Sequence, residues 1–357
     1  MDNGWRIGRL LGLLAVACWV AGCGGQPGPR WVTVEGRAMY VDGARYQIRG
    51  VGYSPVPVGQ SPDTWSWPTT SGWYDDDFEL LHLMNCNTIR TWSKVTRPLL
   101  DAAWRHGLLV VCGFPVDPAA HDFSLPAERE ALKEEFRAYV EDFEQHPAVL
   151  MWCVGNEVNQ GAGESSYWYS LLDEMAAVAH AQEGEPHHPV TTANGETSSI
   201  GSPVLKTTDA EMPNLDLWGA NVYRGLSFSA LFQDFETRSG KPLWISEYGT
   251  DAFDARPTHQ TVDEETQAQV ALGLWREIDG NLETCAGGAL MEFCDEWWKM
   301  GDPSVHDASG MPLPALPPDA TANEEYWGMF AVAPREDGPD ARTPRRVYEM
   351  LGGEWQP

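Results

Sequence analysis

Eight short apolar runs alternate with amphipathic stretches over about 300 residues, and no glycine-rich phosphate loop follows any of them. Together these features predict an α/β chain folded as a (β/α)8 TIM barrel with an N-terminal β-hairpin. The hairpin comes first. Trp31-Val32-Thr33-Val34 and Met39-Tyr40-Val41 alternate, and Asp42-Gly43 turns the chain into Tyr46-Gln47-Ile48-Arg49-Gly50-Val51. The first barrel strand is expected at Ile48–Tyr53. The rest are expected at Thr88–Trp92, Leu108–Phe114, Val149–Val154, Val190–Ala193, Leu215–Val222, Leu243–Ser246 and Ala289–Phe293. Unbroken apolar runs of this length suit parallel strands buried on both faces. Between them, Leu132, Phe136, Tyr139, Val140 and Phe143 share one helical stripe. Leu171, Leu172, Met175 and Val178 share another, and Val270, Leu272, Leu274 and Ile278 a third. An open doubly wound sheet would need G-x-G-x-x-G or G-x-x-x-x-G-K-[ST] at its switch point, and neither is present. Two long loops stand out: Pro55–Ser71, with four prolines, Trp65 and Trp67, and Met300–Asn323, with five prolines. Both are expected on the C-terminal face, where barrel sites are built. The aromatics flanking the second loop (Trp297, Trp298, Tyr326, Trp327) favour a folded lid.

The first residues read as an address. Arg6 and Arg9 precede an eleven-residue run from Leu10 to Val20, too short to cross a hydrocarbon core about 30 Å thick. A charged start, a short apolar middle and small residues at the end describe a secretory signal. Val20-Ala21-Gly22-Cys23 resembles a bacterial lipobox, which implies lipidation at Cys23. The expected organisation is a signal peptide over residues 1–22, a linker over 23–30 and one barrel domain over 31–357. An exported lipoprotein anchored to the membrane, facing the periplasm or in the outer membrane, follows.

The 357 residues carry 24 Lys+Arg against 52 Asp+Glu, a net charge of −28, which argues against nucleic acid as a partner. Seventeen Trp beside 11 Tyr and 11 Phe suit either sugar stacking or a large core. Cys86, Cys112, Cys153, Cys285 and Cys294 show no zinc spacing; most are expected to be buried thiols, and the sequence leaves a disulfide open without choosing its pair. The nine His show no H-E-x-x-H pattern. No metal and no cofactor are expected, and a monomer is.

The sharpest feature is a pair of carboxylates at strand ends. Trp152-Cys153-Val154-Gly155-Asn156-Glu157 closes the fourth strand and Trp244-Ile245-Ser246-Glu247 the seventh. A carboxylate ending a buried apolar run is costly unless it is paired or used. Two of them, three strands apart in a ring of eight, can face one another across the mouth. Glycosidic cleavage needs such a pair, one carboxyl to protonate the leaving oxygen and one to attack the anomeric carbon. One should then be desolvated and the other paired with a cation.

Five motifs in order carry a resemblance: Tyr46-Gln47-Ile48-Arg49-Gly50-Val51-Gly52-Tyr53, Asn87-Thr88-Ile89-Arg90, Gly155-Asn156-Glu157-Val158, Gly219-Ala220-Asn221-Val222-Tyr223 and Ser246-Glu247-Tyr248-Gly249. The chain resembles the retaining β-glycosidase barrels of clan A. It is most similar to glycoside hydrolase family 72, the β-1,3-glucanosyltransferases, and more loosely to the barrel domain of family 2. The resemblance implies Glu157 as general acid/base and Glu247 as nucleophile. It also implies Asn156 on the sugar 2-hydroxyl, Arg90 beside Glu247 and Tyr223 orienting it. Tyr53, Trp297 and Trp298 are expected among the substrate-binding residues, although Trp297 and Trp298, being adjacent, point apart. Glu292 and Glu296 add carboxylates near the mouth and compete for the assigned roles. The expected function is a retaining β-glycosidase or transglycosylase acting on a neutral β-glucan polysaccharide or oligosaccharide. The alternative is a catalytically inactive barrel lipoprotein that binds polysaccharide at the envelope.

Overall fold

The computed structural model describes residues 28–161, 165–336 and 338–356. The expected signal peptide, Cys23 and most of the spacer after it lie outside the described residues. Eight parallel strands close into a barrel: β1 (Ile48–Gly52), β2 (Thr88–Arg90), β3 (Leu109–Phe114), β4 (Val149–Asn156), β5 (Val190–Gly195), β6 (Trp218–Asn221), β7 (Leu243–Tyr248) and β8 (Cys285–Leu290). Neighbours follow the chain around the ring, and β8 pairs with β1. All eight expected strands are present. The eighth starts about four residues earlier than its apolar run implied, because it opens with Cys285-Ala286-Gly287-Gly288. Gly287 sits at φ +123°, and a Cβ there would meet the Ile48 carbonyl oxygen at 2.2 Å. Close approach of β1 therefore dictates glycine where strand propensity argues against it.

Residues alternate between two cores. Odd positions of β1 after Arg49 (Val51, Tyr53) join the layer between strands and helices, whereas Ile48 faces the barrel axis. The stripe Leu132, Phe136, Tyr139 and Val140 is buried on the helix Pro126–Phe143. The helix Glu264–Asp279 buries Val270, Leu272, Leu274 and Ile278 behind an Asp263 cap that accepts from the Thr266 N–H at 3.0 Å. No helix among the described residues is long and apolar enough to cross a membrane.

At the bottom, Val32–Glu35 and Ala38–Val41 pair antiparallel. Asp42 and Gly43, at φ 52° and 78°, turn into a short third strand, Ala44–Arg45. Val32, Met39 and Val41 share an apolar cluster with Leu109, Met151 and Trp244 from the barrel interior, so the hairpin plugs this end. At the top, the loop 300–323 is folded, with Met311–Pro312 pairing Thr321–Ala322. It meets the loop 55–71 where the Gly59 N–H donates to the Pro303 carbonyl at 2.8 Å. Cys86, Cys112, Cys153, Cys285 and Cys294 are free and buried.

Candidate active site

Both strand-end acids depend on a break in strand regularity. The register between β4 and β5 shifts between Cys153 and Asn156. There Gly155 adopts φ +73°, where a Cβ would come within 2.7 Å of Val158. Glu157 follows at φ +50°, an uncommon conformation for a residue with a side chain. On β7, Leu243 and Ile245 face the helices, and strict alternation would send Glu247 after them. A register shift between Ile245 and Glu247 re-aims it into the mouth.

Glu247 is only 7% exposed, and donors converge on both of its oxygens. Arg90 Nη1 at 2.7 Å and Trp92 Nε1 at 2.8 Å donate to Oε1, and the Tyr223 hydroxyl donates to Oε2 at 2.8 Å. Arg90 also donates to the Ser246 carbonyl at 2.9 Å and to Asn156 Oδ1 at 2.6 Å. Asn221 Nδ2 reaches Glu157 Oε1 at 2.9 Å and Asn156 Oδ1 at 3.1 Å, and its own Oδ1 accepts from the Ser246 hydroxyl at 2.8 Å. A continuous network thus ties the two carboxyls together. Burial, and then the charge of Glu247, push the Glu157 carboxyl above the ordinary carboxylate range. That is the direction a proton donor requires.

Glu157 and Glu247 line one cleft of about 950 Å³ with Asn156, Trp92, Tyr223, Trp298 and Trp327. Trp65, Trp67 and Asp63 come from the first long loop, and Met311 and Leu313 from the second. The structure therefore gathers Glu157, Glu247, Asn156, Tyr223 and Trp298 around the cleft, with Arg90 buried beneath it.

Two expected binding residues are elsewhere. Tyr53 is fully buried on the helix side of β1; its hydroxyl donates to Asp77 at 2.9 Å and its ring packs on Phe78 and Phe293. Strand alternation puts it there, because Gly52 is the neighbour that faces the axis. Trp297 stacks on His306 at 4.7 Å, and His306 stacks in turn on Tyr326 at 3.8 Å, so this ring anchors the lid while Trp298 takes the cleft side.

Sequence reasoning missed Trp92 and Asn221. Trp92 lies two residues beyond Arg90 and so shares its inward face, a usable signal. Gly52 makes room for it, since a Cβ there would fall 2.4 Å from the indole ring. Asn221 is the polar residue closing the apolar sixth run. His180, His187 and Asp216 bring ligand atoms within 4.8 Å of one another at the opposite end of the barrel. Their imidazoles stack at 3.7 Å and 23°, however, so the ring nitrogens' lone pairs run side by side rather than converging. Asp216 instead accepts from His180 at 2.9 Å and from the Val190 N–H at 2.7 Å.

Residues 34–275 match the family model described as glycosyl hydrolases family 2, TIM barrel domain. Among curated proteins, the chain is similar to a β-glucuronidase of Sus scrofa, 23% identical over 240 residues covering 63% of this chain and 34% of that protein. It is also similar to a β-galactosidase of Arthrobacter sp. (strain B7), 26% identical over 185 residues covering 48% of this chain and 17% of that protein. The chain spans about a third of the length of the curated β-glucuronidases it matches. Among solved structures, a Ruminococcus gnavus β-glucuronidase superposes with a TM-score of 0.64 at 20% identity, covering 92% of this chain and 54% of that one. An Eisenbergiella tayi β-galacturonidase bound to galacturonate superposes with a TM-score of 0.64 at 18% identity, covering 91% of this chain and 54% of that one. The ranking drawn from motifs, with family 72 first, is corrected. Those motifs sit at strand ends that serve the shared chemistry of the clan, so they do not order the families within it. With its residues 34–275 matched, the chain belongs to glycosyl hydrolases family 2, as a TIM-barrel domain of that family.

Proposed function

We propose that the protein is a retaining β-glycosidase working by double displacement, with Glu247 as nucleophile and Glu157 as acid/base. In the first step a Glu247 oxygen bonds to the anomeric carbon as the glycosidic C–O bond breaks, and the Glu157 proton passes to the leaving oxygen. In the second, water returns a proton to Glu157 as its oxygen attacks the same carbon and releases Glu247; an acceptor sugar in place of water makes the reaction a transglycosylation. Asn156 offers its amide to the sugar 2-hydroxyl, Tyr223 and Arg90 orient Glu247, and Trp298 walls the ring. The observation that carries this reading is the network joining Glu157 to Glu247 through Asn221 and Arg90, at the floor of one cleft.

The acidic chain and the aromatic cleft support a neutral β-glucan as substrate, and the lipobox-like Val20-Ala21-Gly22-Cys23 supports an exported enzyme held at the membrane through Cys23. The matched proteins named β-glucuronidase and β-galacturonidase make a β-uronide the competing substrate class. A panel of aryl and oligomeric β-glycosides, with the product anomer followed by NMR, tests the reading. Net retention is expected, and the Glu247→Ala variant should lose turnover while azide restores cleavage with an inverted glycosyl azide as product. Full activity in Glu247→Ala would overturn the assignment.

A further inference from the structure

A second charged cluster borders the catalytic pair. Glu296, Lys299 and Glu324 line the same cleft, and Glu292 is buried behind them. Among the described residues, Lys299 is the one cation lining the cleft, against the carboxylates of Asp63, Glu157, Glu247, Glu296 and Glu324. Its ammonium has three N–H donors. It stands 2.9 Å from Glu296, and Glu324 at 3.7 Å and Glu292 at 3.9 Å flank it beyond hydrogen-bond reach. Arg90 is likewise occupied by Glu247, Asn156 and the Ser246 carbonyl. The cluster lies close to the chemistry. The charge of Glu247 acts on both Glu292 and Glu324, and that of Glu324 on Glu157.

We propose that Glu296, Lys299 and Glu324 form a hydroxyl-reading wall that commits the cleft to a neutral sugar and shuts out a uronide, an inference that rests on the glycosidase reading above. A uronate carboxylate entering this site must compete with Glu296 for Lys299, the one cation lining the cleft, and faces like charge on the wall. Sugar hydroxyls meet the opposite situation. Carboxylates are charged acceptors that take hydroxyl donors in short, strong bonds, and the Lys299 ammonium holds those carboxylates in place. A wall built to receive hydroxyl hydrogens also discriminates steeply, because a substrate that leaves its acceptors unmatched forfeits those bonds.

The test compares kcat/KM on 4-nitrophenyl β-glucoside and β-galactoside with that on the corresponding β-glucuronide and β-galacturonide. Wild-type protein is expected to favour a neutral glycoside over its uronide by about 100-fold or more. Glu296→Gln should lower kcat/KM on the neutral glycoside about tenfold, chiefly through KM. Glu324→Lys should narrow the neutral-to-uronide ratio to about tenfold or less by supplying the missing cation. Wild-type preference for a uronide overturns this inference and leaves the glycosidase reading standing. A Glu296→Gln value within about twofold of wild type overturns the role of the wall. Inactivity on every glycoside overturns both readings. The wild-type ratio decides the substrate class whether or not either variant folds.

Discussion

At the bottom of the barrel, Val32, Met39 and Val41 cover Leu109, Met151 and Trp244, apolar side chain against apolar side chain. At the top, Glu157, Glu247, Glu296 and Glu324 crowd around Arg90 and Lys299, under loops that meet at Gly59 and Pro303. The two ends bury different things. The bottom buries area, and any well-shaped apolar residue serves there. The top buries charge, which is tolerable only with directed partners. Stability and chemistry are thereby assigned to opposite ends of one scaffold, so substitutions at the two ends should have separable effects.

The widest separation is expected from Glu157→Gln. On glycosides with poor leaving groups kcat should fall about 10²- to 10⁴-fold, and far less on a leaving group that needs no proton. Its melting temperature should stay near that of wild type; a large drop would place Glu157 in the stabilising half of the molecule. Met39→Ala at the bottom should do the reverse, costing about 2–5 kcal/mol in urea unfolding while kcat of the folded enzyme holds. A change in kcat there would show that the two ends are coupled.

A subtler measurement separates the causes acting on Glu157. Glu157 must be protonated to act as the acid, and its pKa is raised, first by burial and second by the charge of Glu247. Activity should therefore persist above the ordinary carboxylate range and decline as pH rises through the raised value. In Glu247→Gln the second cause is removed, so carboxyl NMR should find Glu157 titrating lower than in wild type, yet still displaced upward by burial. An unchanged titration would mean that the two acids do not sense each other. The smallest effect is expected from Trp65→Ala at the rim: about a fivefold loss on oligosaccharides, from lost stacking, and none on aryl monoglycosides.

Much of this layout was legible in the chain. Buried parallel strands must be apolar at successive positions, so all eight showed as runs, and only β8 was displaced, where two glycines interrupt its pattern. Glu157 and Glu247 were conspicuous because a carboxylate at the end of such a run demands a reason. Arg90 and Tyr223 followed from the motifs around them. The errors came from side-chain direction: Tyr53 has the parity of the helix layer, and of the two adjacent Trp only Trp298 turns to the cleft. Lys299 and Glu324 flank the aperiodic segment that forms the lid, and no spacing rule says what a residue there will face.

Local pattern was thus enough to establish the number of strands, the apolar plug at one end and the acids at the other, because periodicity and the cost of burying charge act within a few residues of chain. Closing the ring settled the rest. Arg90 reaches Glu247 across 157 positions and Asn221 reaches Glu157 across 64, and two register shifts turn the acids inward. Which donor meets which oxygen depends on those shifts and on neighbours remote in the chain, and no local spacing encodes either.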